Sequence, residues 1–181
     1  MSRPRPDVRA RGQAMAEFAL VAPIFFLLMF GLIELGRAVF YTQILDSATR
    51  DGARYAIVHG FQSFCPSGPM PGGVASCDPT GQNVITTVRD RSIGVTDKLS
   101  DLLVNVKWCD SSPYQADSCG DFESATNTPV PCSAWADLGD GDNGRSQLVT
   151  VCVQYSYDAL LGFLPIPDFT VTGRATLVVN N

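Results

Sequence analysis

Three groups of residues in this chain have types and spacings that could do chemistry. The first is six cysteines, Cys65, Cys77, Cys109, Cys119, Cys132 and Cys152. An even number of cysteines, placed in a translocated domain, reads as up to three disulfides, and the sequence leaves their pairing open. No Cys-x-x-Cys occurs, and His59 is the only histidine of the chain, which speaks against a zinc site. The second group is Asp137, Asp140, Asp142 and Asn143, hard oxygens suited to calcium. Their spacing, and the lack of the closing Glu of an EF-hand, favour a solvated turn instead. The third is Glu17, a single acid near the start of an apolar run. No metal and no cofactor is expected. A lone histidine leaves no Ser-His-Asp or Cys-His arrangement, there is no glycine-rich phosphate loop, and the chain is not expected to be an enzyme. His59 reads as the frayed end of a helix.

The run that carries Glu17 positions everything else. Residues 18–33 hold no charge, and extending back to Ala14 gives about 20 residues, the length that crosses a bilayer core. Residues 1–12 carry a net charge of +3 and the remaining residues -8, within a total of -5. Basic residues beside a span stay on the cytoplasmic side. The expectation is therefore a single-pass protein of the cell membrane with its N-terminus inside. Its acidic C-terminal region would lie outside, with the membrane and not nucleic acid as its partner. No small-residue cleavage site follows the apolar run. An uncleaved anchor, or a cut on the cytoplasmic side, fits better than a secretory signal. A cut after Gly12 would make Gln13 the new N-terminus and Glu17 the fifth residue, one helical turn along. The α-amine of a neighbouring subunit could then neutralise Glu17. The alternative is an interfacial Glu that snorkels to the headgroups, and spacing alone does not choose between them. Pro23 removes one backbone bond inside the span, which membrane helices tolerate.

Beyond the span, Ala38, Tyr41, Leu45, Ala48, Gly52 and Tyr55 or Ala56 recur at helical steps. Glu34 and Arg37, and Asp46 and Arg50, are spaced to pair. A helix from Gln13 to about Val58 would be roughly 70 Å long. Gly60 to Gln82 reads as a loop closed by a Cys65–Cys77 disulfide, and Asn83 to Ile93 as a second helix with Val84 and Val88 inward. Strict alternation marks strands at Leu103–Cys109, Gln147–Tyr157 and Phe169–Val179. Asp110–Ser146 is a long excursion, and Leu160–Pro167 an apolar connection suited to contact. The fold expected is α+β: an N-terminal transmembrane helix continuing into a long amphipathic helix, packed on an antiparallel sheet of about three strands, with disulfide-rich loops. The domain reading is a basic leader (1–12), a transmembrane segment (13–37) and an extracytoplasmic domain (38–181).

Gly12, Gln13, Glu17 and Phe18 resemble the prepilin peptidase recognition site of type IV pilin-like proteins, with the Glu-Phe pair of the Flp (Tad) subclass. Residues 19–23, 31–37 and 48–56 are similar to the TadE-like family. The resemblance implies a minor pilin or pseudopilin of the tight-adherence system. It would be cleaved after Gly12 by a prepilin peptidase and would dock through Glu17 and Pro23. Its partners would be other Tad pilins or pseudopilins and the assembly machinery, at the membrane or in the pilus. The six cysteines are not part of that family pattern. The alternative is a signal-anchored extracytoplasmic binding or adhesion module that does not enter a pilus.

Overall fold

The structure is a computed structural model that describes residues 8–96, 98–110, 119, 122–123, 128–135, 139, 141–159 and 169–180. The chain divides into two compact units, Met1–Val39 and Phe40–Asn181. Helix α1 (Val8–Val58, 51 residues) contributes to both. It starts upstream of the expected Gln13. Arg9, Ala10 and Arg11 are good helix formers, and Gly12 is the only poor one among them. The helix runs through Pro23 without ending there.

In the first unit most apolar residues of α1 are exposed. Met15, Phe18, Leu20, Ile24, Leu28 and Leu32 are all more than half exposed. Among the described residues, this helix is long and apolar enough to cross a membrane. That fits a single-pass membrane protein.

The second unit is α+β. Helix α2 (Gln82–Arg91) buries Val84 and Val88, as the helical spacing required. The strands β1 (Leu102–Cys109), β4 (Leu148–Tyr157) and β5 (Phe169–Val178) form an antiparallel sheet in the order β1-β4-β5. Their limits fall within one residue of those expected. Two short strands, β2 (Phe122–Glu123) and β3 (Thr128–Pro129), pair inside the Asp110–Ser146 excursion, where no strand was expected. Two-residue strands carry no readable alternation. The Leu160–Pro167 connection lies outside the described residues.

Register places Val104 opposite Val153, Val106 opposite Val151 and Trp108 opposite Val149. Val153 in turn pairs with Gly173, and Val151 with Ala175. This face receives the outer half of α1. The stripe of the helix that it covers is Tyr41, Leu45, Ala48, Thr49, Gly52, Ala53 and Ala56, all buried. Tyr55, one of two candidates for the end of that stripe, stays half-buried. Tyr41 packs edge-on to Tyr155 at 5.9 Å between centroids. The buried Thr49 hydroxyl donates to the carbonyl oxygens of Leu45 and Asp46 at 3.1 and 3.0 Å, so its polarity is satisfied within the helix. A Cβ on Gly173 would stand 2.7 Å from the carbonyl oxygen of Leu45. The backbone of β5 thus touches the backbone of α1, and only glycine leaves room.

The other face of the sheet is covered as well, which strand alternation alone did not suggest. Thr150 and Cys152 on β4 are fully buried there. Cys152 is bonded to Cys132, with Cα atoms 5.7 Å apart, and Cys109 to Cys119 at 5.2 Å. The Asn105 amide donates to the Cys132 carbonyl at 2.8 Å. Trp135 is buried beside that bridge, with Lys107 Nζ 5.5 Å and Arg174 Cζ 5.2 Å from its ring centroid. Such cation–π contacts let two basic strand residues lie under a loop while meeting an aromatic face. Arg174 also donates to the Val130 carbonyl.

Replacing Gly173 with Val should lower stability by about 1–3 kcal/mol, since overpacking against a backbone cannot be relieved by rotamer changes. Thermal unfolding of the full chain in detergent micelles, followed by near-UV circular dichroism, measures this. A Gly173→Val midpoint equal to that of the parent chain would refute the close approach.

Candidate processing and docking segment

The residues singled out for processing and docking lie on one stretch of α1. Gly12, Gln13, Glu17, Phe18 and Pro23 are all exposed. A Cβ at Gly12 would meet nothing within 4 Å, so that position is sterically open to a second protein. Gln13 and Glu17 are four residues apart and share a helix face, and the Gln13 amide donates to a Glu17 carboxylate oxygen at 3.1 Å. Glu17 therefore has a neutral partner within its own chain. A hydrogen bond to a carboxylate offsets part of the desolvation cost but leaves the net charge in place. The neutralising cation, if the segment enters lipid, has to come from elsewhere.

Glu34 and Arg37 form the expected pair, at 3.4 Å, with the Glu34 side chain only 5% exposed. The Asp46–Arg50 pair is not formed. Asp51 instead takes Arg54 at 3.7 Å and Arg91 of α2 at 3.8 Å. These exposed groups gain little by pairing, so the helix spacing did not decide which pair formed. A shallow groove beside them is lined by Arg54, Tyr55, His59, Thr87 and Arg91. His59 follows the last helical residue. Its ring stacks on Tyr55 at 3.9 Å, and its Nδ1 lies 2.9 Å from the Tyr55 carbonyl oxygen.

The stretch 48–56 is mainly a packing device. A Cβ on Gly52 would lie 2.3 Å from Val88 Cγ2 of α2 and 3.6 Å from Val151 Cγ1 of β4, so the helices and the sheet meet at this glycine. Ala53 and Ala56 are fully buried beside it. Arg50 and Arg54 point to solvent.

Of the six cysteines, four are bridged and buried, while Cys65 and Cys77 are free thiols. The expected Cys65–Cys77 disulfide is thus not formed. The two residues are nonetheless neighbours: the Cys77 thiol lies 4.0 Å from the carbonyl oxygen of Phe64, the residue before Cys65. The nearby Cys77 side chain, burial, and the Cys77 and Asp78 charges push the Cys65 thiol above its ordinary pKa. Burial, with the Cys65 and Asp78 charges, raises Tyr55 likewise.

In the acidic cluster, Asp137 and Asp140 lie outside the described residues. Asp142 accepts the Gly144 N–H at 2.8 Å, a turn contact. Asn143 is fully buried. It donates from its side chain to the Ser67 carbonyl at 3.0 Å, and from its backbone to the Pro69 carbonyl at 2.8 Å. It pins the 61–69 loop. Among the described residues no three metal-ligating side chains gather.

Sequence reasoning missed Asn143 as a clamp and Asp78 as a cap. The Asp78 carboxylate accepts the N–H groups of Gln82 and Asn83 at 2.7 and 2.8 Å, which satisfies two donors at the start of α2. An Asp-Pro-x-Gly run directly ahead of a helix was the available signal.

Residues 12–54 match the family model described as TadE-like protein. No curated protein and no solved structure matches the chain.

Substituting Arg54 with Ala should change stability by at most about 1 kcal/mol, as for other exposed ion pairs. Gly52→Leu should cost about 1–3 kcal/mol or abolish folding. Chemical denaturation of the two variants side by side tests the assignment. Equal losses would mean that the exposed side chain of the 48–56 stretch carries structure.

Proposed function

We propose, from the premise that residues 12–54 are TadE-like, that the chain is a minor pilin or pseudopilin for assembly of Flp-type (Tad) pili. It is cleaved after Gly12 by a prepilin peptidase. The observation that carries the reading is the coincidence of three features on one exposed helix. These are the TadE-like match over 12–54, a largely exposed apolar surface, and Glu17 as its only acid within residues 14–33. A helix hydrophobic all round needs lipid or other helices around it. A lone carboxylate in that surface then selects for a partner that brings a cation.

In this reading the basic leader stays in the cytoplasm and the second unit lies outside the membrane. After cleavage the α-ammonium of Gln13 becomes a positive group at the end of each subunit. One subunit's amine meets the Glu17 of the next, and the Gln13 amide holds that carboxylate in place until docking. The role is structural and not catalytic. Partners are the peptidase, other Tad pilins or pseudopilins, and the assembly machinery.

Two measurements test it. Intact mass and N-terminal sequencing of the protein, expressed with and without a prepilin peptidase, should give a peptidase-dependent start at Gln13. A chain that keeps its leader in both cases would support a signal-anchored binding or adhesion module instead. Glu17→Ala should be cleaved normally yet assemble poorly. An unpaired carboxylate in lipid costs about 3 kcal/mol, so loss of its pairing should weaken docking about a hundredfold. Wild-type levels of assembled protein in sheared pilus fractions from Glu17→Ala cells would overturn docking through Glu17.

A further inference from the structure

The loop between α1 and α2 holds a thiol pair that neither the packing nor the proposed assembly role uses. Its two arms run side by side. Gly68 donates to the Asp78 carbonyl at 2.7 Å, Asp78 to the Pro66 carbonyl at 3.3 Å, and the Ser76 hydroxyl to the Pro66 carbonyl at 2.8 Å. Cys65 and Cys77 precede Pro66 and Asp78 on these arms, and the Cys77 thiol lies 4.0 Å from the carbonyl oxygen of Phe64, the residue before Cys65. Both ends of the loop are anchored. Ser67 donates to the carbonyl of His59 just past α1, at 2.9 Å, and Asp78 caps α2. Under the loop, Gly68 and Gly81 lie against the Trp108 indole so closely that a Cβ at either would stand 2.3–2.4 Å from it.

We propose that Cys65 and Cys77 form a reversible, solvent-exposed dithiol–disulfide couple whose closure locks the turn joining α1 to α2. The other four cysteines are each 2% exposed or less and already bonded, whereas Cys77 is exposed and Cys65 half-buried. An exposed pair exchanges with external thiols and disulfides, and a buried one does not. The oxidant is a disulfide, of a small thiol or of an envelope dithiol oxidoreductase. The Cys77 thiolate attacks one of its sulfurs and releases a thiolate, leaving a mixed disulfide on Cys77. The Cys65 thiolate then attacks Cys77 Sγ and releases the second thiolate. Two thiol protons go to solvent, two electrons go to the incoming disulfide, and one S–S bond is made for the one broken.

Closure covalently ties arms that hydrogen bonds already join. It fixes Asp78 at the start of α2 and Ser67 at the end of α1. The two buried bridges stay closed throughout, so the couple changes one local element and leaves the sheet intact.

The test uses the full-length chain in detergent micelles, equilibrated with reduced and oxidised glutathione over a range of ratios. Samples are acid-quenched, alkylated with N-ethylmaleimide and analysed by mass spectrometry. Trypsin cleavage after Arg54 and Arg89 leaves both cysteines in one peptide, and cyanogen bromide cleavage after Met70 separates them. As the buffer becomes oxidising, two alkylations should fall to none. The 55–89 peptide should become lighter by two hydrogen atoms, and its halves should remain joined after Met70 cleavage until reduced. Hydrogen exchange at the Ser67, Gly68, Gln82 and Asn83 amides should slow on oxidation. A Cys65→Ser chain should stop at the glutathione adduct on Cys77. A persistent adduct in the unsubstituted chain, or Cys77-linked dimers with no internal bridge, would overturn the couple. Unchanged exchange in the oxidised form would overturn the lock, and simultaneous opening of all three bridges would overturn its selectivity.

Discussion

The second unit depends on one close approach: the backbone of β5 at Gly173 lies against the backbone of α1 at Leu45. A helix resting on a sheet needs small residues where the two meet. Here Ala48, Gly52, Ala53 and Ala56 on the helix and Gly173 on the strand provide that surface. Small side chains bury little apolar area themselves, but they bring large ones into range. Leu45, Val84, Val88, Val149, Val151 and Val153 are fully buried around the contact. Dispersion is short-ranged, so moving the helix outward by the width of one methyl group would weaken these contacts together.

With one face under α1, the central strand β4 has its other face to satisfy. The chain does this with cross-links more than with apolar volume. Cys152 and Thr150 lie under a loop held by Cys132–Cys152, by Cys109–Cys119 and by Trp135 between two cations. A loop cannot readily bury enough surface to hold itself down, and disulfides restrict the alternatives open to it. Some polar groups of this face pair with one another, as in the 2.9 Å contact between the Thr150 and Thr176 hydroxyls, while Trp135 Nε1 and Gln154 Oε1 are buried without a hydrogen bond among the described residues. This face therefore tolerates Asn105, Lys107 and Arg174 where a conventional core would hold valine or leucine.

The first unit has the opposite character. Most of its apolar residues are exposed, and its polar contacts include the local pairs Gln13 to Glu17 and Arg37 to Glu34. Nothing in a single chain can bury such a surface at so low a cost as a bilayer or a bundle of like helices. The same chain thus combines a unit with a well-packed core and a helix completed by its surroundings. That division fits a single-pass membrane protein.

Periodicity alone determined much of this protein. The apolar run at 14–33, the stripe Tyr41–Leu45–Ala48–Gly52, the inward Val84 and Val88, and the three alternating strands all follow from side-chain spacing. Local geometry sets which residues share a face, whatever they pack against. That Gly12, Gln13, Glu17 and Phe18 share one exposed stretch of helix was also legible, because all four lie within seven residues. Tertiary structure decided what depends on residues far apart in the chain. It chose Cys109–Cys119 and Cys132–Cys152 and left Cys65 and Cys77 as adjacent thiols. It turned Asn143, read as part of an acidic turn, into a buried clamp on Ser67. It gave Asp51 to Arg54 and Arg91 in place of the Asp46–Arg50 pair. It also covered both faces of β4, which alternation in one strand cannot reveal. Pairing of cysteines, amides and charges is set by through-space distance, and no spacing along the chain encodes that until the helix has settled on the sheet.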